Sequence, residues 1–179
     1  MPLPTLIRDL HRRKARERRG LALAEGVRLV EEMLASAVGC KGVMVAPQLE
    51  TTPRGRALIA AIAGRDIPVE RCSDDEMATL AATEHPPGVV AVYAPRVWSL
   101  AELAVAPGHP VVLLDAVQDP GNVGTIARTA LALGAAGVIA LPGTADLTNP
   151  KVVRGAMGAL FRLPHLAADD VAVGEWVAS

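Results

Sequence analysis

Apolar runs and amphipathic stretches alternate along almost the whole chain. Residues 5–18 carry Leu6, Ile7 and Leu10 on one side of a strongly basic stretch and predict a single helix. LALAEG (21–26) reads as a short strand or extended entry, and VRLVEEMLASA (27–37) places Val27, Val30, Met33, Leu34 and Ala37 at helical spacing. GVMVAP (42–47), IPVERC (67–72) and GVVAVYAP (88–95) predict strands. Between them lie two helices, 53–65 with Pro53 at its start and Gly64 at its end, and 73–82 with Ser73 as N-cap and acidic residues in the first turn. Residues 1–95 thus predict a small α/β domain.

Residues 96–109, proline-flanked, read as a linker with one short helix. A second alternating unit, 110–179, follows. VVLLDAV (111–117) predicts a strand buried on both faces, 122–134 a helix closed by Gly134, GVIALPG (137–143) another buried strand, and 149–160 a helix with Asn149 as N-cap and Pro150 at N1. FRLPHLA (161–167) predicts a third strand, and a further helix begins at 169. Such a β-α-β unit is parallel and right-handed, and its ligands sit beyond the carboxyl ends of the strands. DPGNVG and LPGTADLTNP fall there.

Charge sharpens this picture. The net charge is -1, yet residues 8–19 hold seven Lys/Arg and two acidic residues, a local +5 on a body of -6. A basic arm on an acidic body fits a localised polyanion contact, against the plainer reading of a solvated helix face. The aromatics are Tyr93, Trp98, Phe161 and Trp176, too few for a platform of stacked bases. Cys40 and Cys72 have neither metal-ligand nor disulfide spacing, so no metal is expected and a reducing, cytoplasmic home is. No apolar run approaches the ~20 residues that span a bilayer, so no membrane role is expected.

The stretch LLDAVQDPGNVGTIARTALALG (113–134) carries the chemistry. It lacks the G-x-G-x-x-G dinucleotide fingerprint, which weighs against an unrelated nucleotide-binding enzyme. One reading is structural: Pro-Gly makes the turn, Asn122 caps the helix and Gly124 permits close packing. The other is functional. Arg128 shares a helix face with Gly124, which would leave open space, so the guanidinium could reach back to the helix N-terminus and grip a phosphate there.

DAVQDPGNVGTIARTALALGA resembles the first signature motif of the SpoU (TrmH-like) family of RNA ribose 2′-O-methyltransferases, in the SPOUT superfamily. TADLTNPKVVRGAMGALFRLP resembles the segment that follows it there, and LALAEGVRLVEEML with TEHPPGVVAVYAP resembles the family's N-terminal substrate-binding domain. The resemblance implies an α/β fold: a small ribosomal-protein-like RNA-binding domain, then a SPOUT-type trefoil-knot domain with a parallel sheet. It implies methyl transfer from S-adenosylmethionine to a ribose 2′-hydroxyl of rRNA or tRNA, and a homodimer. Asn122 and Arg128 match the family's catalytic asparagine and arginine; a guanidinium is normally always protonated, so the preferred reading of Arg128 is a phosphate clamp and electrostatic orienter, with base catalysis the alternative. RNA contact is expected of Arg12, Arg13, Lys14, Arg16, Arg18 and Arg19, and of Lys151 and Arg154.

Two departures stand out. Ala156 replaces the family's serine. The second and third motifs, which build most of the cofactor pocket and the knot, are not found. Residues 110–179 therefore read as the first part of the domain, with cofactor-binding residues expected mostly beyond Ser179. The alternative function is a truncated, inactive RNA-binding module. Glu25 and Gly26 are expected to set a strand-to-helix turn, His85 to belong to a loop, and Asp115 and Asp119 to serve the strand end and turn.

Overall fold

The computed structural model describes residues 1–83 and 86–179, so His85 lies outside the described residues. The chain divides into two compact units, Met1–Pro95 and Arg96–Ser179.

The first unit runs α1 (Leu3–Leu10), α2 (Arg13–Arg19), β1 (Ala22–Glu25), α3 (Val27–Leu34), β2 (Gly39–Val45), α4 (Pro53–Ala63), β3 (Val69–Arg71), α5 (Asp74–Leu80) and β4 (Val89–Ala94). The sheet order is β1-β4-β2-β3, with β4 antiparallel to β1 and β2, and β3 parallel to β2. Leu3, Ile7 and Leu10 of α1 and Met77 and Leu80 of α5 bury one sheet face against Leu23, Met44, Val90 and Val92. Val43, Val45, Ala91 and Tyr93, of opposite parity, are buried too, so both faces are covered. α3 packs on β1 and β4, and α4 on α3. Gly26 turns β1 into α3 at φ +104. Glu25 is buried and accepts from Ala82 N and the Thr83 hydroxyl, tying β1 to the end of α5.

The predicted single basic helix is two helices. Arg12 has an extended backbone, and the chain turns there. The cause is Arg16: its side chain folds inward and Nη1 donates to Leu10 O and His11 O, both at 3.0 Å. It satisfies carbonyls that the end of α1 leaves without helical partners.

The second unit contains a 3-10 turn at Leu100–Glu102, β5 (Val111–Leu114), α6 (Pro120–Ala132), β6 (Gly137–Ala140), α7 (Pro150–Gly155), a 3-10 turn at Ala159–Phe161, β7 (His165–Ala167) and α8 (Asp170–Ala178). Its sheet is wholly parallel, in the order β5-β6-β7. α8 and the first 3-10 turn cover one face, where Leu103, Ile139 and Val173 meet Leu166 and Trp176. Residues 96–109 are therefore more than a linker: Leu100 and Leu103 belong to this core. The expectation that 111–117 is buried on both faces also needs correcting. β5 stops at Leu114, lies at the sheet edge, and leaves Leu113 48% exposed. Among the described residues no helix is long and apolar enough to cross a membrane.

His165, in β7, is buried, with Nδ1 2.8 Å from Leu163 O. A carbonyl only accepts, so Nδ1 carries the proton. Burial holds the ring's pKa below its ordinary 6.5, outweighing the opposing effect of that hydrogen bond.

Two outcomes are expected. Arg16→Ala leaves the α1 carbonyls unsatisfied and speeds amide hydrogen exchange in α1 and α2, a loss of about 1–3 kcal/mol, while the exposed Lys14→Ala changes it by less than about 0.5. The unfolded chain binds a proton at residue 165 near pH 6.5, where the folded chain does not. The second unit therefore loses stability as pH falls below 6.5, until the folded value is passed. Urea unfolding followed on Trp98 and Trp176 measures this, and His165→Gln reduces the slope.

Candidate functional site

The site is built where β5 and β6 end. Past Leu114 the backbone turns sharply through Ala116, whose φ of +49 is unusual for a residue other than glycine. The loop after β6 is laced to it: Leu141 N and Thr144 Oγ1 donate to Leu114 O at 2.9 and 2.7 Å, and Ala145 N donates to Val117 O at 2.9 Å. Gly143 has a φ of +87, and a Cβ on it would stand 3.2 Å from that of Ala116. The two loops thus form one braced platform.

α6 leaves this platform. Its N-cap is Asp119, not Asn122: Asp119 Oδ1 accepts from Asn122 N at 2.7 Å, and Pro120 takes N1. Asn122 falls in the first turn with its side chain exposed. The carboxylate already occupies the positive end of the helix, which removes the expected phosphate site at the N-terminus.

Gly124 does not leave open space. A Cβ there would lie 2.6 Å from Val152 O and 2.8 Å from Ala156 N. On the facing helix, a Cβ on Gly155 would approach Gly124 Cα to 3.4 Å. α6 and α7 therefore meet backbone to backbone, as the structural reading of Gly124 held. Ala156 is fully buried at this junction. Arg128 stands one turn on from Gly124. Its Nη1 lies 2.9 Å from Met157 Sδ, in the turn that ends α7.

α7 opens with Asn149, which accepts from Lys151 N at 2.9 Å. Lys151 is exposed. Arg154 is partly buried, and its Nη1 is buried with no hydrogen-bond partner among the described residues. The predicted helix over 149–160 stops early: Met157 at φ +49 and Gly158 at φ +94 break it before Ala159–Phe161. The packing of α6 on α7 thus brings together the elements bearing Asn122, Arg128, Lys151 and Arg154.

In the first unit, Arg12, Arg13, Lys14, Arg18 and Arg19 are exposed on or beside α2. Arg13 pairs with Glu17 at 2.7 Å; Arg19 and Arg18 pair with Asp9 at 2.8 and 3.4 Å. The hydrogen bond from Arg19 is the largest of the effects that hold the Asp9 carboxyl below its usual range. Arg16 is withdrawn from the surface by burial, so its expected RNA contact is replaced by a structural role.

The turn role expected of Asp119 is, in the structure, that of the helix cap, which an acid before Pro at N1 signals. One residue escaped the reading of the sequence. Met157 carried no signal, because methionine is not a residue that announces a left-handed turn.

A parallel α/β unit with a strained platform at its strand ends thus follows, along the chain, a small mixed-sheet unit with a basic edge. Residues 6–91 match the MRM3-like substrate binding domain and residues 109–173 the SpoU rRNA Methylase family. Residues 109–173 thus belong to the SpoU family. It is 35% identical over 157 residues to the 23S rRNA (guanosine(2553)-2′-O)-methyltransferase RlmP of Bacillus subtilis, a match covering 88% of this chain and 58% of the relative. It is 32% identical over 169 residues to the 23S rRNA (uridine(2479)-2′-O)-methyltransferase of Streptomyces viridochromogenes, covering 94% and 58%. The chain thus spans a little over half the length of these relatives. Its fold matches an AdoMet-bound rRNA methyltransferase from Sinorhizobium meliloti with a TM-score of 0.84 at 31% identity, covering 99% of this chain and 66% of that one. It matches AviRb of Streptomyces viridochromogenes, in complex with AdoMet, with a TM-score of 0.84 at 30% identity, covering 97% and 65%.

The close helix contact makes a sharp prediction. Gly124→Ala forces α6 from α7 and destabilises the second unit by about 1–3 kcal/mol. Gly174→Ala, on α8 with nothing within 4 Å of the added methyl, gains about 0.5–1 kcal/mol. Urea unfolding read by tryptophan fluorescence should show opposite signs.

Proposed function

We propose that the chain serves S-adenosylmethionine-dependent methylation of a ribose 2′-hydroxyl in rRNA. The observation that carries this is Arg128 on α6, in the family's motif position, exposed at the junction of α6 with the turn that ends α7. The relatives named as 23S rRNA 2′-O-methyltransferases and the two AdoMet-bound folds support it.

The donors here are two guanidinium groups, an ammonium and an amide. They suit a ribose-phosphate, not a cationic sulfonium, so the described residues at this junction are assigned to the RNA. The cofactor, when bound, supplies the electrophilic methyl. Arg128 clamps a phosphate next to the target ribose through its planar fork and fixes the hydroxyl in line. Asn122 orients the same ribose by hydrogen bonding. Lys151 and Arg154 add positive charge at the α7 side. Nothing here requires Arg128 to lose its proton.

Arg12, Arg13, Lys14, Arg18 and Arg19 give the first unit, 1–95, a phosphate-binding edge, in keeping with its match to a substrate-binding domain. Residues 110–179 carry the methylase site. We further read the protein as a cytoplasmic homodimer, on the family resemblance and on two cysteines without disulfide partners.

The test joins cofactor binding to transfer. Calorimetry with S-adenosylmethionine and transfer of labelled methyl into 23S rRNA are both expected to be positive, and Arg128→Lys lowers transfer about 100-fold, because an ammonium cannot form the fork. RNA affinity with neither cofactor binding nor transfer would instead mark the chain as a binding module. Neutralising Arg12, Arg13 and Lys14 together should flatten the salt dependence of RNA binding by up to about three in log–log slope.

A further inference from the structure

The Arg128 guanidinium is already held. Its Nη1 lies 2.9 Å from Met157 Sδ, and both side chains are exposed. Exposed long side chains gain little from resting on one another, so the contact needs a reason in the backbone. Met157 sits at φ +49, a left-handed conformation that strains a residue with a Cβ. Glycine would fill that turn without strain, and glycine does fill the next position, Gly158 at φ +94. The turn is nonetheless firmly made: Met157 N donates to Arg154 O at 3.1 Å, Ala159 N to Ala156 O at 3.0 Å and Phe161 N to Gly158 O at 3.1 Å. A strained methionine is therefore fixed on rigid backbone, with its sulfur against the arginine on the neighbouring helix.

The chemistry of the acceptor matters. A carboxylate in this position would neutralise Arg128 and compete with any incoming anion. A thioether is a weak, uncharged acceptor. It can fix the direction of the guanidinium yet yield to a phosphate oxygen, whose charge-assisted hydrogen bond is much stronger.

We infer that Met157 is a positioning residue: its sulfur restrains the Arg128 guanidinium in the RNA-free protein, so that the fork is oriented before a phosphate of the RNA replaces it. This rests on the reading of Arg128 as a phosphate clamp. The restraint and the clamp are separable by experiment.

The experiment uses the full 179-residue chain, labelled with 15N at arginine and assigned by Arg128→Lys. In the wild type, rotation of the Arg128 guanidinium is slowed and its Nη signals are resolved at low temperature. Met157→Leu keeps the volume and removes the acceptor; Met157→Gly removes the side chain and relieves the backbone. Both are expected to release the rotation and to weaken inorganic phosphate binding, read at Arg128, by about threefold to tenfold, the cost of ordering one long side chain. Met157→Gly should melt no lower than the wild type, which a merely structural methionine would not allow. Unchanged rotation and phosphate affinity in both variants overturns the role of Met157. If the wild type shows slowed rotation that the variants release, but phosphate leaves Arg128 unperturbed, the restraint stands and the clamp falls.

Discussion

The contact on which the second unit depends is the meeting of two glycines. With hydrogens at Gly124 and Gly155, α6 and α7 approach until the backbone of one helix touches that of the other, and a methyl at Gly124 would overlap Val152 O. This approach brings the turn after α7 within reach of a side chain on α6. Were the helices further apart, Arg128 would extend into solvent, and a guanidinium in solvent has no defined direction to offer a substrate. A long, charged side chain thus acquires a position from the absence of two short ones.

Strain and bracing occur together around the same junction. Both non-glycine residues with positive φ among the described residues, Ala116 and Met157, lie in this unit's turns, one after β5 and one after α7. Each is over-determined by neighbouring hydrogen bonds: the loop after β6 grips the backbone beside Ala116, and Ala159 and Phe161 hold the carbonyls of Ala156 and Gly158 on either side of Met157. Rigid backbone in costly conformations is a common way to aim groups at a substrate. Asp119 adds a negative constraint. By capping α6 itself it removes the helix end as a competing anion site, so the charge available to a phosphate is that of side chains, above all Arg128.

How much of this was legible follows from the physics of each element. The strands and most helices were, because their periodicity and caps are local: Ser73, Asn149 and Pro53 mark helix starts wherever the chain goes. The parallel sheet of the second unit was legible from alternation alone. The burial of β5 was not, since an apolar run has the same letters at a sheet edge as at its centre, and Leu113 is exposed only because of where β5 falls in the strand order. Asn122 and Arg128 were singled out through their motif, but their surroundings were misjudged. Gly124 reads identically whether it opens space or fills it, and only the position of α7 decides. Met157 was invisible because its role comes from a backbone angle.

The basic arm shows the same dependence on context with the opposite outcome. Seven cations in twelve residues suggest a uniform surface for RNA. The structure makes them unequal. Arg16 turns inward to end α1, Arg18 and Arg19 lean on Asp9, and Arg13 leans on Glu17. Exposed ion pairs of this kind are worth little, about 0–1 kcal/mol, so they orient these side chains without removing them from the reach of a phosphate. A buried guanidinium is different: taking it back out would expose the carbonyls it satisfies. The arm is therefore divided between one arginine that makes the turn and the others that the turn presents. Replacing Arg16 by a residue unable to reach Leu10 O would loosen the geometry from which its neighbours project, and so act indirectly on the RNA contact proposed for them.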